Sequence, residues 1–393
     1  MSEVINDIGL KRIIGEWGGD QSGPVIIFFA GVHGNEHAAI EALEQIFETI
    51  TQQHIPIKGK IVAIAGNLTA ISKSVRYIDE DLNRIWTKGR LAALKNSPSY
   101  GVDDTIEKSE QREIYNLLHQ YIHNTEDQIY IIDLHTTSSI SKPFVIIGDT
   151  VRNRRFAMNF HVPILLGLEE RVDGTIIGYT SDMGHITIAL ESGQHDDRNS
   201  VLNHISATWV ILTNAGCVSA SQVPGFQKHI RRLQQVSKHL SKIYEVRYRK
   251  GVSEEDHFRM EPGFQNFRPI RKGELIARDR NGDIYSHLDG NIFMPLYQQL
   301  GSDGFFIIRP VNAFWLKISE WLRRLHVDKA LPLFPGIYKS PHRKNELVAY
   351  HKIARWFVVE IFHLLGYRKK RVRGQHIIFT KRKYDLKGPN EKL

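Results

Sequence analysis

Four short runs of almost uninterrupted apolar residues, each followed by a helical pattern, set the strongest limit on how this chain can fold. The runs cover residues 24–31, 60–65, 128–134 and 186–190. Strands with both faces buried show this pattern, which is typical of a sheet covered by helices. Helices are predicted over 36–50, 111–122 and 200–215, with a further one over 227–240. The alternation predicts an α/β fold with a central sheet and helices on both sides.

Beyond this region the pattern changes twice. From about residue 243 to 310, short strands separated by glycines predict a small β-domain. Phe314, Ile318, Trp321 and Leu325 then recur at helical spacing and predict an amphipathic helix. We therefore divide the chain into an α/β catalytic domain (1–240), a small β-domain (241–312) and a basic helical C-terminal extension (313–393).

Charge and cysteine content limit the class of protein. The extension holds 19 Lys/Arg against 6 Asp/Glu, a net charge of +13, whereas residues 1–312 carry −4. Cys217 is the single cysteine, which excludes disulfides within the chain and multi-cysteine metal sites. No apolar run approaches the roughly 20 residues that a membrane helix needs, and the N-terminus lacks a signal-peptide pattern. We expect a cytoplasmic protein.

The first apolar run ends in a possible metal-binding motif. His33 and Glu36 follow it directly, at the strand end where open α/β sheets place their ligand sites. A helical H-x-x-E-H motif would instead use His33 and His37 as ligands and Glu36 as base. Gly34 and Asn35 are poor helix formers, so we favour His33 and Glu36 as the ligands.

Two further runs deliver polar residues to the same edge. The run at 128–134 is followed by His135, and the run at 186–190 is followed by Glu191. Two histidines and one carboxylate, with a fourth position open, form the usual catalytic zinc site. A charged segment from Arg76 to Arg84 lies between the apolar runs at 60–65 and 128–134.

Taken together, these motifs resemble the succinylglutamate desuccinylase/aspartoacylase family, which has the zinc carboxypeptidase A-like fold. The resemblance rests on His33-x-x-Glu36, the segment 76–84, Asp133-Leu134-His135 and Glu191, in that order. It covers roughly residues 20–220 and extends more loosely to about 310. It implies a mixed central sheet and hydrolysis of a linear amide bond in an N-acyl amino acid.

The resemblance implies a role for each catalytic residue. His33, Glu36 and His135 would bind one Zn²⁺ per chain. Glu191 would be the general base that takes a proton from the attacking water and passes it to the departing amine. Arg76 would stabilise the negative charge that develops on the amide oxygen.

The remaining residues of segment 76–84 would serve binding and positioning. Asn83 and Arg84 would hold a carboxylate of the substrate, Arg84 in a bidentate geometry. Asp81 would accept the free N–H of a ligand histidine, His33, and fix its tautomer. Asp133 lies on the same strand face as His135 and is an alternative acceptor or a structural residue.

Three aromatic side chains have no assigned role in the site. We interpret His195 as a histidine of a surface loop rather than a substrate contact. The family often recruits a Tyr from its second domain, and neither Tyr285 nor Tyr297 can be chosen on sequence.

The extension has no counterpart in the resemblance. Its apolar stretch 353–365 and its basic run 368–373 fit a packed helix beside a solvated basic face. An anionic membrane surface or a nucleic acid is the alternative partner. We expect deletion of the residues after Val311 to change binding or assembly more than chemistry.

The sequence therefore predicts a zinc-dependent deacylase acting on an N-acyl amino acid or a similar small carboxylate. Two alternatives stay open: a metallocarboxypeptidase acting on peptides, and a binding protein with a vestigial zinc site. A homo-oligomer is possible for each.

Overall fold

The structure, a computed structural model, describes residues 9–18, 21–96, 104–298, 300–341, 343, 345–350, 358–373 and 375–389. The helices are α1 (Ala38–Gln52), α2 (Leu68–Ser72), α3 (Lys88–Asn96), α4 (Ile106–His123), α5 (Val151–Ala157), α6 (Ile176–Asp182), α7 (Arg198–Ala215), α8 (Phe226–Val236), α9 (Ala313–Arg324) and α10 (Val358–Leu364). Single 3₁₀ segments cover Leu82–Arg84, Glu254–Asp256 and Val327–Leu333.

The strands of the first part of the chain are β1 (Ile13–Gly18), β2 (Val25–Ala30), β3 (Lys60–Ala65), β4 (Ile129–Thr137), β5 (Phe144–Ile147), β6 (Ile164–Leu166) and β7 (Ile186–Gln194). Those that follow are β8 (Ile243–Gly251), β9 (Arg259–Met260), β10 (Pro269–Ile270), β11 (Leu275–Asp279), β12 (Gly282–Tyr285), β13 (Gly290–Phe293), β14 (Asp303–Pro310), β15 (Ile337–Lys339), β16 (Glu346–Tyr350), β17 (Tyr367–Arg373) and β18 (His376–Lys381).

An eleven-stranded mixed sheet organises the chain, in the order β1-β3-β2-β4-β7-β5-β6-β8-β14-β13-β10. Strands β3, β2, β4 and β7 run parallel to one another, so their carboxyl ends share one edge. Strand β5 is antiparallel to β7. The predicted α/β fold with a mixed sheet flanked by helices is confirmed, and the four predicted strands are β2, β3, β4 and β7.

Helices cover both faces of the sheet because β2 is apolar at every position. Phe28 belongs to a core cluster shared with α1 and α7, and its neighbour Phe29 belongs to a cluster shared with α4. Helix α7 begins after Asp197, whose side chain accepts from Asn199 N, and it ends at Gly216 with φ 88°. These caps fix the bounds of the helix that covers the central strands.

Residues 243–310 contribute to two sheets. Strands β8, β14, β13 and β10 extend the large sheet, and β12, β11 and β9 form a small antiparallel sheet. The three-part division of the chain stays a prediction.

The extension contains strands as well as helices. Helix α9 corresponds to the predicted amphipathic helix, and strands β15, β16, β18 and β17 form a four-stranded antiparallel sheet. Residues 353–357 of the apolar stretch lie outside the described residues, and α10 covers 358–364. Within the part of the chain that the structure describes, no helix has the length and apolar character needed to cross a bilayer.

Buried ion pairs attach the extension to the α/β region. The Arg323 guanidinium of α9 lies 2.9 Å from Asp149 Oδ2 and 3.0 Å from Asp385 Oδ1. Asp149 also pairs with Arg154. Burial alone would raise the pKa of Asp149, but Arg154 and Arg323 outweigh it and hold that pKa below its usual value. The attachment therefore depends on charge pairs with almost no access to solvent.

Candidate metal centre and active site

A glycine allows the loop after β2 to carry its side chains into the site. A Cβ added to Gly34 would lie 2.1 Å from the carbonyl carbon of Ala70, so only glycine fits against that backbone. Gly34 N donates to Arg76 O at 3.1 Å, which joins the loop to segment 76–84. This contact fixes where His33 and Glu36 point.

Three buried side chains that can each supply a metal ligand meet at the carboxyl ends of β2 and β4. His33 Nδ1 lies 2.8 Å from Glu36 Oε1, and His135 Nδ1 lies 3.1 Å from Glu36 Oε2. One ligand atom from each residue lies within 4.8 Å of the other two, a spacing that a metal ion can bridge. His37 is outside this group: it is exposed, with Nε2 3.2 Å from Ser74 Oγ. The geometry thus corresponds to the predicted His33, Glu36, His135 set rather than to H-x-x-E-H.

A carboxylate contacts the far nitrogen of each histidine. Asp81 Oδ1 lies 3.2 Å from His33 Nε2, and Asp133 Oδ2 lies 2.7 Å from His135 Nε2. Such partners orient the ring and make its other nitrogen a better ligand. Asp81 is where the sequence predicted it, and Asp133 occupies the equivalent position behind His135.

These contacts shift the pKa values of the buried groups. Burial alone would raise the pKa of Glu36, but His33 and His135 outweigh it and hold the pKa well below its usual value. Burial would lower the pKa of His135, but Asp133 and Glu36 outweigh it and raise that pKa well above the usual value. The group therefore combines negative carboxylates with imidazoles, a donor set suited to a divalent cation.

Glu191 faces this group from the next strand. It lies opposite His135 in the register of β4 and β7. Burial, with the charges of Glu36 and Asp133, raises its pKa to about 8 against the opposing effect of His135 and Arg76. Its Oε2 is buried and has no hydrogen-bond partner among the described residues. Glu191 can therefore exchange a proton with a small molecule bound beside the three donors.

Arg76 lies at the same edge. Its Nη2 donates to Asp81 Oδ2 at 3.0 Å, and its Nη1 lies 4.0 Å from Glu36 Oε1. Its Nε is buried and has no partner in the described part of the chain. Arg76 thus keeps a donor that a ligand oxygen can use.

The two predicted substrate-binding residues have protein partners. Asn83 is buried: its Nδ2 lies 3.3 Å from both Asp133 Oδ2 and His135 Nε2, and its Oδ1 accepts from Ile176 N at 2.9 Å. Arg84 Nη2 donates to Asp303 Oδ2 at 3.0 Å. Asn83 therefore helps to position His135. Arg84 lies at the cavity and is already paired with the carboxylate of Asp303.

A cavity opens over these residues, with about 130 Å³ accessible to water. Part of its wall comes from residues 294–296 and 298, which follow β13, and from residues 301–303, at the start of β14. His195 also lines it, with Nδ1 2.7 Å from Thr136 Oγ1, so its interpretation as a surface-loop residue was wrong. Tyr297 donates to Glu261 O at 2.7 Å, and Tyr285 is exposed beside Asp283. Neither tyrosine lines this cavity.

Comparison with known proteins bears on this arrangement. Residues 22–212 match the succinylglutamate desuccinylase/aspartoacylase catalytic domain. This segment belongs to that family. The match includes every predicted site residue from His33 to Glu191, and strands β8 to β18 lie beyond it.

Individual relatives of the succinylglutamate desuccinylase/aspartoacylase family agree. The chain is 26% identical over 291 residues to a succinylglutamate desuccinylase of Pseudoalteromonas atlantica, covering 69% of this chain and 76% of that protein. The solved succinylglutamate desuccinylase of Vibrio cholerae superposes with TM-score 0.55 at 19% identity, over 75% of this chain and 83% of that one. The product-bound ectoine utilization protein EutE of Ruegeria pomeroyi superposes with TM-score 0.54 at 15% sequence identity, over 75% of this chain and 87% of that one.

These comparisons confirm the family and the zinc carboxypeptidase-like fold expected from the sequence. The shared naming of relatives as desuccinylases supports an amide hydrolase. Two cavity residues escaped sequence reasoning. Asp303 lies 219 residues from Arg84 and carries no local motif. His195 follows Glu191, the predicted base, by four residues, and that proximity was the one signal available.

Proposed function

We propose that this protein is a zinc-dependent deacylase that releases an acyl group from an N-acyl amino acid or a similar small carboxylate. One observation carries the proposal: three buried donors, His33, Glu36 and His135, converge opposite the buried carboxyl of Glu191. Zinc bound to two histidines and a carboxylate would supply the Lewis acidity that makes water nucleophilic near neutral pH.

Glu191 would move the proton. A base must lie within hydrogen-bond reach of the water it activates, and the unpartnered Oε2 of Glu191 is available for that contact. Burial raises the pKa of this carboxyl and makes its protonated form accessible, so the same group can deliver the proton to the departing amine. Arg76, through its unpartnered Nε, would stabilise the oxygen that becomes negative as the amide carbon turns tetrahedral.

The roles expected for Asn83 and Arg84 change in this proposal. Asn83 positions His135 and Asp133 rather than holding substrate. Arg84 shares its charge with Asp303 through Nη2, so a substrate carboxylate would compete with Asp303 for it or use Nε, which is unpartnered within the described residues. A cytoplasmic location and a homo-oligomeric state stay predictions.

Metal analysis with a substrate panel tests the proposal. We expect the purified protein to hold one zinc ion per chain and to hydrolyse N-acyl amino acids in preference to short peptides. Glu191→Gln should keep the zinc and lose at least about a hundredfold in kcat, whereas the exposed control Glu44→Gln should change neither.

Each contrary outcome points to a different error. Full activity of Glu191→Gln would contradict the assigned base. Preferred cleavage of peptides would make the protein a metallocarboxypeptidase. Protein that holds no zinc and hydrolyses nothing would favour the binding-protein alternative.

A further inference from the structure

The cavity continues past the predicted metal ligands as an apolar chamber. Ala189 precedes Glu191 by two residues on β7 and therefore lies on the same face of the sheet. Ile146 of β5 lies beside it in the register of the two strands. Both residues line the cavity, so its wall is apolar at the position two residues before the proposed base Glu191 on β7.

Four further apolar residues line the chamber. Leu168, Val172 and Ile177 lie between β6 and the first turn of α6, and Phe306 lies on β14. These residues pack with Ile146 and Ala189 in one hydrophobic cluster. The chamber is thus an opening within a core, and an apolar group placed there would leave water as a core side chain does.

The arginines of the cavity wall are paired with carboxylates of the protein. Arg76 pairs with Asp81, and Arg84 pairs with Asp303, which also binds Arg249. At the chamber wall, the carboxylate is Glu169, which pairs with Arg382 of the extension. A second carboxylate on the substrate would meet arginines whose charge these acids already share, whereas an apolar group needs no charged partner.

We infer that the chamber binds an apolar group, aliphatic or aromatic, next to the scissile amide. The inference rests on the proposed deacylase function and names its substrate class. The group could belong to the acyl chain or to the side chain of the amino acid, because the chamber has the same chemistry for both.

A substrate matrix separates these sources. We would measure kcat/KM of the zinc-loaded protein for N-hexanoyl-glycine, N-acetyl-leucine, N-succinyl-glutamate and N-acetyl-glycine. At least one of the first two should exceed N-succinyl-glutamate by tenfold or more, since even one methylene in an apolar pocket changes kcat/KM about tenfold. Calorimetry with hexanoate, leucine and succinate gives a second readout that needs no turnover.

Filling the chamber tests its location. Ala189→Leu should reduce the preference for the better apolar substrate over N-acetyl-glycine at least about tenfold, and the exposed control Ala220→Leu should leave it unchanged. Val172→Ala should shift the optimum to a longer chain, which keeps the test informative if Ala189→Leu fails to fold.

Preference for N-succinyl-glutamate over both apolar substrates, with tighter binding of succinate, would overturn the inference and leave the deacylase function intact. Absence of all hydrolysis would contradict the function, and the calorimetric comparison would still decide the chemistry of the chamber.

A second inference concerns α9, which leaves a row of apolar side chains exposed to solvent. Ser319 and Arg323 lie on the buried side of the helix. At 100° per residue, Phe314, Trp321 and Leu325 lie on the opposite side, and they are 59%, 60% and 56% exposed. Leu316 and Leu322 of the same helix pack against core clusters, so the exposed row is the part of its apolar surface that the protein leaves available for another surface.

The exposed apolar surface extends beyond α9. The 3₁₀ segment Val327–Leu333 contacts the helix, and Leu333 and Phe334 at its end are 84% and 58% exposed. Lys317 and Arg324 are exposed on one flank of the apolar row. Aromatic and leucine side chains flanked by basic residues are typical of helices that lie in a membrane interface.

We propose that this face, formed by Phe314, Trp321, Leu325, Leu333 and Phe334, binds the surface of an anionic lipid bilayer. The extension carries a net charge of +13, which complements anionic headgroups. The same charge opposes pairing with the extension of a second copy, because two such faces would repel each other.

Vesicle binding of the full chain tests this proposal. We expect sedimentation with vesicles of 70% phosphatidylcholine and 30% phosphatidylserine, weaker binding to phosphatidylcholine alone, and loss of binding as salt rises from 50 to 300 mM. The double variant Phe314→Ser, Trp321→Ser should bind at least about tenfold more weakly. Tyr285→Ser, at an exposed aromatic residue of the small sheet, is the control.

Three results would overturn it. The double variant could bind as the unchanged protein does. The unchanged protein could ignore vesicles and form a dimer that the double variant dissociates, which would make the occupant a second copy. It could also ignore vesicles and bind nucleic acid, which would assign the basic charge to that partner.

Discussion

At the scale of single residues, the site consists of two histidine–carboxylate pairs that share one glutamate. Glu36 contacts the inner nitrogen of both rings, and Asp81 and Asp133 contact the outer ones. The histidines are thus held from both sides in a buried setting. In the proposed zinc site the ligand geometry would thus be set by the protein itself, which favours tight binding.

The pair behind His135 gives a prediction for metal affinity. Asp133→Asn removes the charge 2.7 Å from His135 Nε2, so the ring becomes a weaker ligand. We expect zinc affinity to fall about ten- to hundredfold, measured by competition with a chelator. The exposed control Asp127→Asn should bind zinc as the unchanged protein does. Equal affinity in both variants would mean that Asp133 is only structural.

Sequence reasoning reached the ligands more easily than the residues around them. His33, Glu36, His135 and Glu191 each follow a buried strand, so the fold alone brings them to one edge. The partners of Asn83 and Arg84 could not be predicted because they lie far along the chain: Ile176, the first residue of α6, is 93 residues from Asn83, and Asp303, the first residue of β14, is 219 from Arg84. Local motifs indicate which residues could take part in catalysis or binding, but tertiary contacts decide which of them already have a partner within the protein.

At the scale of elements, the loop between β2 and α1 depends on the close approach of Gly34 to α2. A methyl group there would meet the backbone of Ala70 at 2.1 Å, and backbone cannot move aside as a flexible side chain can. Gly34→Ala should therefore lower the unfolding free energy by about 1–3 kcal/mol and weaken zinc binding, because the loop carries two ligands.

Gly89 provides the matched control for this variant. It lies in α3, and an added Cβ would have no heavy atom within 4 Å. Gly89→Ala should raise the unfolding free energy by about 0.5–1 kcal/mol, since alanine favours a helix. Urea unfolding and zinc titration of the two variants measure both effects. Similar results for both would show that the approach to Ala70 does not constrain the loop.

The elements themselves were predicted with uneven success. Strands β2, β3, β4 and β7 carry dense apolar runs, and α1 is long with one apolar face, so their patterns are unambiguous. Strands β5 and β6 have only four and three residues, too few for a period to be visible. The strands of the extension were missed because its charged residues obscure the alternation.

At the scale of the whole molecule, α9 docks through a buried cation. Arg323→Ala would leave Asp149 and Asp385 without that partner, and uncompensated buried charge is costly. We expect the unfolding free energy to fall by about 3–5 kcal/mol. Its exposed neighbour gives the control, since Arg324→Ala removes the same charge from the surface and should cost about 1 kcal/mol or less. Chemical denaturation of both proteins checks the difference.

Acid should destabilise the protein through buried histidines. Burial, with the charge of Arg152, lowers the pKa of His185 to about 4, and burial, with the charge of His123, lowers that of His119 to about 4. In the unfolded chain these histidines bind protons near pH 6.5. The neutral histidines therefore contribute fully to the unfolding free energy above that pH, and this contribution is lost as pH falls toward 4. The depressed pKa of Asp149 keeps its ion pairs intact over this window.

Denaturation at several pH values measures this effect. The unfolding free energy should decline between pH 6.5 and 4, with a shallower decline in His185→Gln. A flat profile over that window would contradict the assignment. Fold class and family could be predicted from the sequence, but this acid response could not, because it depends on burial that no local pattern reveals.

The contact between Arg382 and Glu169 changes what the extension means for the cavity. The sequence led us to expect that its removal would spare chemistry, yet one of its arginines neutralises a carboxylate of the cavity wall. Ligand occupancy and docking of the extension thereby become linked equilibria. A ligand that favours the docked state must, by thermodynamic reciprocity, bind more tightly when the extension is docked. A bilayer that holds α9 in place would then act as an effector of the cavity without touching it.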